Sequence, residues 1–173
     1  NYLRFDNPLE FGHTYLAGGN LQRIRDFGLF DTRFIQRNLA AMWTLLPRIS
    51  TETPYLLISK HGLSVLFTSP ALILIFWRGE RDPLFWRCLA VVGVILVPIM
   101  LYQNTGWEQF SFRFLMDLLP LILVALAVQK HRLTLSVKVL IGLGIAINLF
   151  GAVTFQRPGF HQFYGEFLPL SPF

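Results

Sequence analysis

Long apolar runs separated by short polar segments occupy the chain from about residue 61 to residue 156. A helix needs about 20 mostly apolar residues to cross a bilayer core of about 30 Å. Prolines inside spanning helices are tolerated, because neighbouring helices satisfy the freed backbone groups. The pattern therefore predicts an all-α, polytopic transmembrane protein with about four spans in the region 61–156. The four runs are Gly62–Trp77, Leu84–Gln103, Ser111–Gln129 and Val139–Gln156.

The first sixty residues are more polar and contain no run of spanning length. Asp31 or Thr32 is suited to cap a helix over about residues 32–46, which Pro47 would end. Its apolar side chains recur at helical spacing on one face. Such an amphipathic helix fits a membrane interface or the core of a small extracytoplasmic lobe. The apolar face holds Ile35, Leu39, Met42, Trp43 and Leu46, and Arg33 and Arg37 lie on the other face.

Basic residues in the short loops predict the orientation, because they favour the cytoplasmic side. Six of them lie between the first two runs and between the last two. We therefore expect residues 1–60, the loop 103–112 and the tail 157–173 to face outwards, in a multi-pass protein of the plasma membrane. The six residues are Arg78, Arg81, Arg87, Lys130, Arg132 and Lys138.

The composition agrees with a membrane protein, since 53% of the 173 residues are hydrophobic and 14% are charged. These values exclude a disordered chain and argue against an ordinary soluble enzyme. Cys88 is the only cysteine, so we exclude a disulfide-stapled domain and expect a buried apolar residue. The net charge is +5, but no dense basic patch or recognition motif accompanies it. The expected partner is therefore the lipid bilayer and not nucleic acid.

The pair Arg113 and Asp117 is the most informative polar feature, because charges in a membrane segment usually mark a site. Their spacing of four places them on one face of an α-helix. One interpretation is an internal ion pair that holds the helix end. The other is that Arg113 binds an anionic group and Asp117 orients it, since a guanidinium makes two parallel hydrogen bonds to phosphate.

Other polar residues give weaker indications. Glu10, His13 and Tyr15 lie in the N-terminal loop, where they either contact an acceptor or hold the loop together. No His, Cys, Asp or Glu spacing predicts a metal site, and no cofactor motif is present, so a divalent metal has no support from the residues. His61, His131 and His161 are isolated in the sequence, and Gly142, Gly144 and Ala146 are expected to allow close helix packing.

Three segments resemble a known family. Gln109–Pro120, QFSFRFLMDLLP, is similar to the late "QFGYRYLLDLLP" segment of bacterial GT-C-type membrane glycosyltransferases, relatives of the protein O-mannosyltransferases. Asn1–Gly12 resembles their extracytoplasmic "NxxRFGxPxEFGY" loop, and Ser64–Ala71 resembles the start of a following span. The order of the segments is the family's order. The departures are Ser111 for Gly, Phe112 and Phe114 for Tyr, and Asp6 for Gly.

The resemblance implies an enzyme that moves a sugar from a polyprenyl-phosphate carrier to an extracytoplasmic acceptor. It covers the C-terminal half of such enzymes, so the catalytic base is expected upstream of Asn1, with no catalytic residue in this chain. A metal assists some members. Arg113 matches the arginine that the family places near the lipid phosphate. The predicted substrate-binding residues are Arg113, Asp117, Gln109 and Glu10.

Two other functions fit the same residues. A non-enzymatic four-span scaffold or lipid-binding subunit would be a complete and stable protein alone. A transporter half would line a polar path with Arg113 and Asp117.

Overall fold

A computed structural model describes residues 1–8, 12, 15, 20–77 and 79–168. Seven α-helices and five short strands are found in these ranges. The helices are α1 Tyr2–Phe5, α2 Asn20–Phe27, α3 Phe34–Leu39, α4 Val65–Thr68, α5 Pro83–Leu101, α6 Leu119–Val128 and α7 Leu135–Thr154. The strands are β1 Arg48–Ile49, β2 Leu56–Ser59, β3 His61–Leu63, β4 Gln109–Ser111 and β5 Tyr164–Gly165. A π-helix, Ala40–Thr44, continues α3, and 3-10 helices cover Pro70–Phe76, Arg113–Asp117 and His161–Phe163.

Two helices of the described chain, α5 and α7, are long and apolar enough to cross a membrane. Their 19 and 20 residues span about 30 Å at a rise of about 1.5 Å per residue. Only 22% of each apolar window is buried in the protein, and Val94 and Ile145 are 72% and 65% exposed. The core helix of a soluble protein would be mostly buried, so these exposed apolar faces indicate contact with lipid.

Local side-chain caps fix where both long helices begin. Asp82 accepts a hydrogen bond from the Phe85 N–H at 3.0 Å, and Pro83 occupies the first turn of α5, where no N–H is needed. Thr134 accepts from the Val137 N–H in the same way at the start of α7. Pro98 lies inside α5.

The prediction of four spans in an all-α fold is wrong. The first apolar run divides into β3, α4 and the 3-10 helix Pro70–Phe76, whose seven residues are too short to span a bilayer. The third run divides into β4, the 3-10 helix Arg113–Asp117 and α6, which has ten residues. The physical reason is the position of two prolines: Pro70 and Pro120 each start a new helix, because proline fits the first turn and interrupts a helix that precedes it.

Two small sheets are the other departure from an all-α fold. Strands β1, β2 and β5 form one sheet, in which β1 and β2 are antiparallel and β2 and β5 are parallel. Strands β3 and β4 pair in parallel, with His61 opposite Gln109 and Leu63 opposite Ser111. Each strand has at most four residues, which is too short for a clear alternation of apolar and polar positions.

The main core lies where α3 and its π-helix pack against α5, α6 and the 3-10 helix Arg113–Asp117. Its most buried side chains include Ala41, Met42, Phe112 and Leu118. The N-terminal segment therefore contributes buried residues to the helical layer, while Trp43 and Leu46 stay exposed. Cys88 is buried beside Phe85 and Ala125 in a smaller cluster.

Candidate functional site

Asn38 attaches α3 to the C-terminal end of α5. Its side-chain amide donates to the carbonyl oxygens of Ile99, Met100 and Tyr102 at 3.2, 2.8 and 2.8 Å. The last carbonyls of a helix lack partners within it, so this buried amide supplies donors where they are needed. The neighbouring residue, Arg37, is thereby held beside that end of α5.

Arg37, Arg23 and His61 form a group that we call the arginine cluster. Burial, and to a lesser extent the charge on Arg23, lowers the pKa of Arg37 to about 10. Burial also lowers the pKa of Arg23. For His61, burial first and then the charges on Arg37 and Arg23 lower the pKa to about 4. At neutral pH the cluster therefore holds two positive guanidinium groups and a neutral imidazole.

Within the described ranges, the Arg37 side chain has no carboxylate within ion-pair distance. The ion pairs found there are Arg33–Asp31, Lys60–Glu108 and Lys130–Glu80. A partly buried guanidinium is costly to leave without an opposite charge. Arg37 is therefore suited to hold an anion at the end of α5.

Gln103 adds an acceptor beside these cations. The backbone carbonyl oxygen of Gln103 accepts a hydrogen bond from the Arg23 guanidinium at 3.5 Å. Gln103 is buried, with 4% of its surface exposed. Its Oε1 atom has no hydrogen-bond partner in the part of the chain that the structure describes. Such an orphaned acceptor costs about 1–3 kcal/mol, so this position fits a ligand that brings a hydroxyl donor.

Gln109, a predicted substrate-binding residue, has its amide engaged by the protein. Its Nε2 atom donates to the carbonyl oxygens of His61 at 2.7 Å and Thr105 at 2.8 Å. Its Oε1 atom accepts from the Arg113 N–H at 3.1 Å. Gln109 thus links the arginine cluster to the 3-10 helix of Arg113, and its contact with substrate stays a prediction.

Arg113 and Asp117 are both exposed and lie at opposite ends of a 3-10 helix. A 3-10 helix has about 3 residues per turn, so positions four apart do not share a face. They form none of the ion pairs found among the described residues, and the Arg113 guanidinium lies 5.5 Å from the Phe114 ring centroid. The interpretation of an internal ion pair is therefore wrong for this structure.

The structure describes some of the remaining predicted residues and not others. Glu10 and His13 lie outside the described residues, and Tyr15 stacks on Phe5 with ring centroids 5.5 Å apart. His131 contacts the Leu74 carbonyl oxygen at 3.1 Å. Across the described ranges, no group of three or more His, Cys, Asp or Glu side chains is placed to hold a metal ion.

An apolar groove of about 340 Å³ lies against the core. One wall is the π-helix that follows Arg37, and another is the segment that follows Arg113. Both arginines therefore belong to elements that pass directly into the groove. Its lining includes Met42, Trp43, Leu89, Val92, Leu115 and Leu118.

The sequence analysis did not identify Arg23, Arg37 or Gln103 as site residues. Arg37 was assigned to the polar face of an amphipathic helix, which is normally solvated. Arg23 and Arg37 are fourteen positions apart, and only tertiary packing at the end of α5 makes them neighbours. One local signal in the sequence indicates that this helix face is not fully solvated. It is the polar residue Asn38, which lies between Arg37 and an apolar stretch.

Neither the family models, nor the curated proteins, nor the solved structures give a match to this sequence.

Proposed function

We propose that this chain binds a lipid-linked sugar phosphate at the extracytoplasmic membrane surface, as part of a polyprenyl-phosphate-dependent glycosyltransferase. The observation that carries the proposal is the partly buried Arg37 guanidinium, which has no carboxylate partner among the described residues. Arg23 adds a second positive charge. A phosphate offers the charge and the oxygen acceptors that suit the Arg37 guanidinium.

Gln103 favours a sugar phosphate over a plain phosphate ester. The unpartnered Oε1 atom needs a donor, and an ionised phosphate has none. A sugar hydroxyl next to the phosphate supplies one. The cluster and Gln103 together thus match the two ends of a glycosyl phosphate.

The apolar groove suits the lipid part of the same molecule. It is lined by the π-helix Ala40–Thr44, which follows Arg37 along the chain, and by residues of the segment after Arg113. We propose that the lipid chain of a phosphate held by the cluster lies in this groove. An isoprenoid chain needs such a surface, because burial of apolar area stabilises it by about 25 cal/mol per Å².

The proposed orientation places the arginine cluster outside. The loop before α5 and the loop between α6 and α7 are joined at one end by the Lys130–Glu80 ion pair at 2.6 Å. Arg81, Arg87, Arg132 and Lys138 lie near this end, and basic loops favour the cytoplasm. The cluster lies at the other end of α5, which supports its extracytoplasmic placement in the proposed multi-pass protein of the plasma membrane.

In the proposed reaction, an acceptor oxygen attacks the anomeric carbon and the bond from that carbon to the phosphate oxygen breaks. The leaving lipid phosphate gains negative charge, which the guanidinium groups of Arg37 and Arg23 stabilise. Arg113 is the further predicted contact to this phosphate, with Asp117, Gln109 and Glu10 as the other predicted substrate-binding residues. The reaction also needs a general base that takes the acceptor proton, and no described residue is assigned to that role.

The test is binding of a polyprenyl phosphate to the native protein in nanodiscs, measured by native mass spectrometry. We expect Arg37→Gln to weaken binding at least tenfold. Arg25→Gln is the matched control, because Arg25 is an exposed arginine on α2 beside Arg23, and its loss should change binding less than twofold. Unchanged binding by Arg37→Gln would overturn the proposal.

A second candidate is a lipid-binding subunit without catalysis. It rests on the same observation as the transferase, since the described residues bring no carboxylate within ion-pair distance of Arg37. Incubation with a radiolabelled polyprenyl-phosphate sugar separates the two. Release of the lipid phosphate with transfer of the label supports the transferase, and binding of an intact donor supports the subunit.

A further inference from the structure

We propose a second ligand site, for a neutral monosaccharide ring, in the pocket between the Glu108 loop and the end of α7. The pocket has a volume of about 360 Å³, which lies within the usual range of small-molecule sites. It does not use the phosphate site, so it stands independently of the proposed function. Its lining consists of Lys60, Glu108, Phe155, Gln156, His161 and Tyr164.

The β3–β4 pair separates this pocket from the arginine cluster. His61 and Gln109 are paired in register and buried on the cluster side. The preceding residues, Lys60 and Glu108, lie just outside the two strands and line the pocket, whereas His61 and Gln109 do not. Trp107 borders both sites: its ring centroid is 5.1 Å from that of His61 and 5.6 Å from Lys60 Nζ.

Two residues of the pocket adopt a backbone conformation that side chains disfavour. Glu108 and Gln156 each have a φ of 53°, in the left-handed region where glycine is the usual residue. Their side chains meet across the pocket, with Gln156 Nε2 donating to Glu108 Oε2 at 3.4 Å. Residues held in such conformations concentrate at ligand sites. Glycine would adopt both turns with less backbone strain. We therefore infer that the side chains of these two residues have a role in the pocket.

The charges of the pocket select a neutral ligand. Lys60 Nζ lies 3.6 Å from Glu108 Oε1, so the positive and negative charges offset each other. A phosphate would meet the carboxylate of Glu108, and a cation would meet the ammonium of Lys60.

The mixed lining selects a polyhydroxylated ring. The ammonium, carboxylate, amide and imidazole groups provide hydrogen-bond donors and acceptors of both kinds. The aromatic rings of Phe155 and Tyr164, with centroids 5.4 Å apart, provide the apolar wall. A sugar has hydroxyl groups around its edge and C–H groups on its faces, so it satisfies both parts at once.

The experiment is saturation-transfer NMR on the native protein in nanodiscs, with methyl glycosides of neutral hexoses, a hexuronic acid and a hexose phosphate. We expect a neutral glycoside to bind with a millimolar dissociation constant. Glu108→Gly should weaken this binding at least fivefold, and the midpoint of thermal unfolding should stay equal or rise because the left-handed strain is relieved. Gln156→Gly is the second variant, with the same expectation.

Lys130→Gly is the matched control, because Lys130 has a φ of 51° and lies at the opposite end of the helices. It should leave glycoside binding unchanged. Absence of binding by every neutral glycoside would overturn the proposal, as would equal binding by wild type and both glycine variants. A preference for the hexose phosphate that is lost in Arg37→Gln would assign the ligand to the arginine cluster instead.

Discussion

Gln109 stands opposite His61 in the parallel β3–β4 pair, and its side-chain amide donates to the His61 carbonyl oxygen at 2.7 Å. The same amide nitrogen also reaches the Thr105 carbonyl oxygen. One buried side chain therefore holds strand β3, the loop after α5 and, through Oε1, the backbone of Arg113. The arginine cluster and the 3-10 helix of Arg113 keep a fixed relation because of this residue.

Replacement of Gln109 by leucine should destabilise the protein by about 2–3 kcal/mol, because two buried carbonyl groups lose their donor. Chemical denaturation in detergent, followed by circular dichroism, measures this change. Gln36→Leu is the control, since Gln36 is exposed on α3 and its replacement should stay within about 0.5 kcal/mol. A loss below that limit for Gln109→Leu would mean that water replaces the amide.

The low pKa of His61 predicts a dependence of stability on pH. The folded-state pKa of about 4 lies below the ordinary histidine value of 6.5, so between these pH values the unfolded chain binds a proton that the native state does not bind. Stability is complete above about pH 6.5 and falls as the pH drops towards about 4, with a slope that approaches about 1.4 kcal/mol per pH unit.

Denaturation midpoints between pH 4 and pH 8 test this expectation, with His61→Gln as the comparison. The variant should lose this slope, since its amide does not titrate. An added phosphate ligand should weaken the dependence and narrow its pH window, because a bound anion offsets the repulsion by Arg37 and Arg23 and raises the pKa of His61 back towards 6.5. An identical slope in His61→Gln would assign the effect to another group.

Arg37 should lower the free energy of unfolding of the unliganded protein, although the proposed site uses its charge to bind the ligand. Burial disfavours its charge, and Arg37→Met removes that charge while it keeps an apolar stem of similar length. After allowance for its partial exposure, we expect a gain of about 1 kcal/mol in the free energy of unfolding. Thermal unfolding measures it, with Arg25→Met as the control without change. A lower midpoint for Arg37→Met would show that the guanidinium stabilises the fold.

Gly151 should tolerate no side chain, in contrast with Gly142 on the same helix. A Cβ atom at Gly151 would lie 2.5 Å from two ring carbons of Phe110, whereas at Gly142 nothing lies within 4 Å. Gly151→Ala should cost about 1–2 kcal/mol, and Gly142→Ala should gain up to about 1 kcal/mol from helix propensity. The two midpoints are compared in the same detergent, and equal values would contradict the close approach of α7 to Phe110.

The sequence identified the two long membrane helices because their apolar character persists over a whole span. It failed at the first and third runs, where composition is equally apolar but Pro70 and Pro120 start new helices. Hydropathy measures how favourably side chains transfer from water to lipid. It carries no information on whether a helix can continue past a proline. The strands β3 and β4 were missed because three residues are too few to show a period.

The two candidate sites were harder to predict from the sequence than the helices, because tertiary packing brings their residues together. Arg37 has the sequence context of a solvated helix face, and its partial burial comes from α5, more than forty positions later. Glu108 and Gln156 meet only because α7 ends beside the loop after α5. The spacing of four predicted that Arg113 and Asp117 share one helix face. That requires an α-helix, which this segment does not form.

If α5 spans a bilayer, as we propose, the hydrogen bonds from Asn38 to the last carbonyls of α5 make the arginine cluster sensitive to membrane thickness. A spanning helix adapts to membrane thickness by tilting, and α3 must follow the end of α5 when it does so. The distance of Arg37 from the headgroup plane is then set by α5 and not by α3 alone. Membranes of different thickness should therefore place the guanidinium groups of Arg37 and Arg23 at different depths. Lipid composition would then change the affinity of the site for its ligand without direct contact between lipid and site.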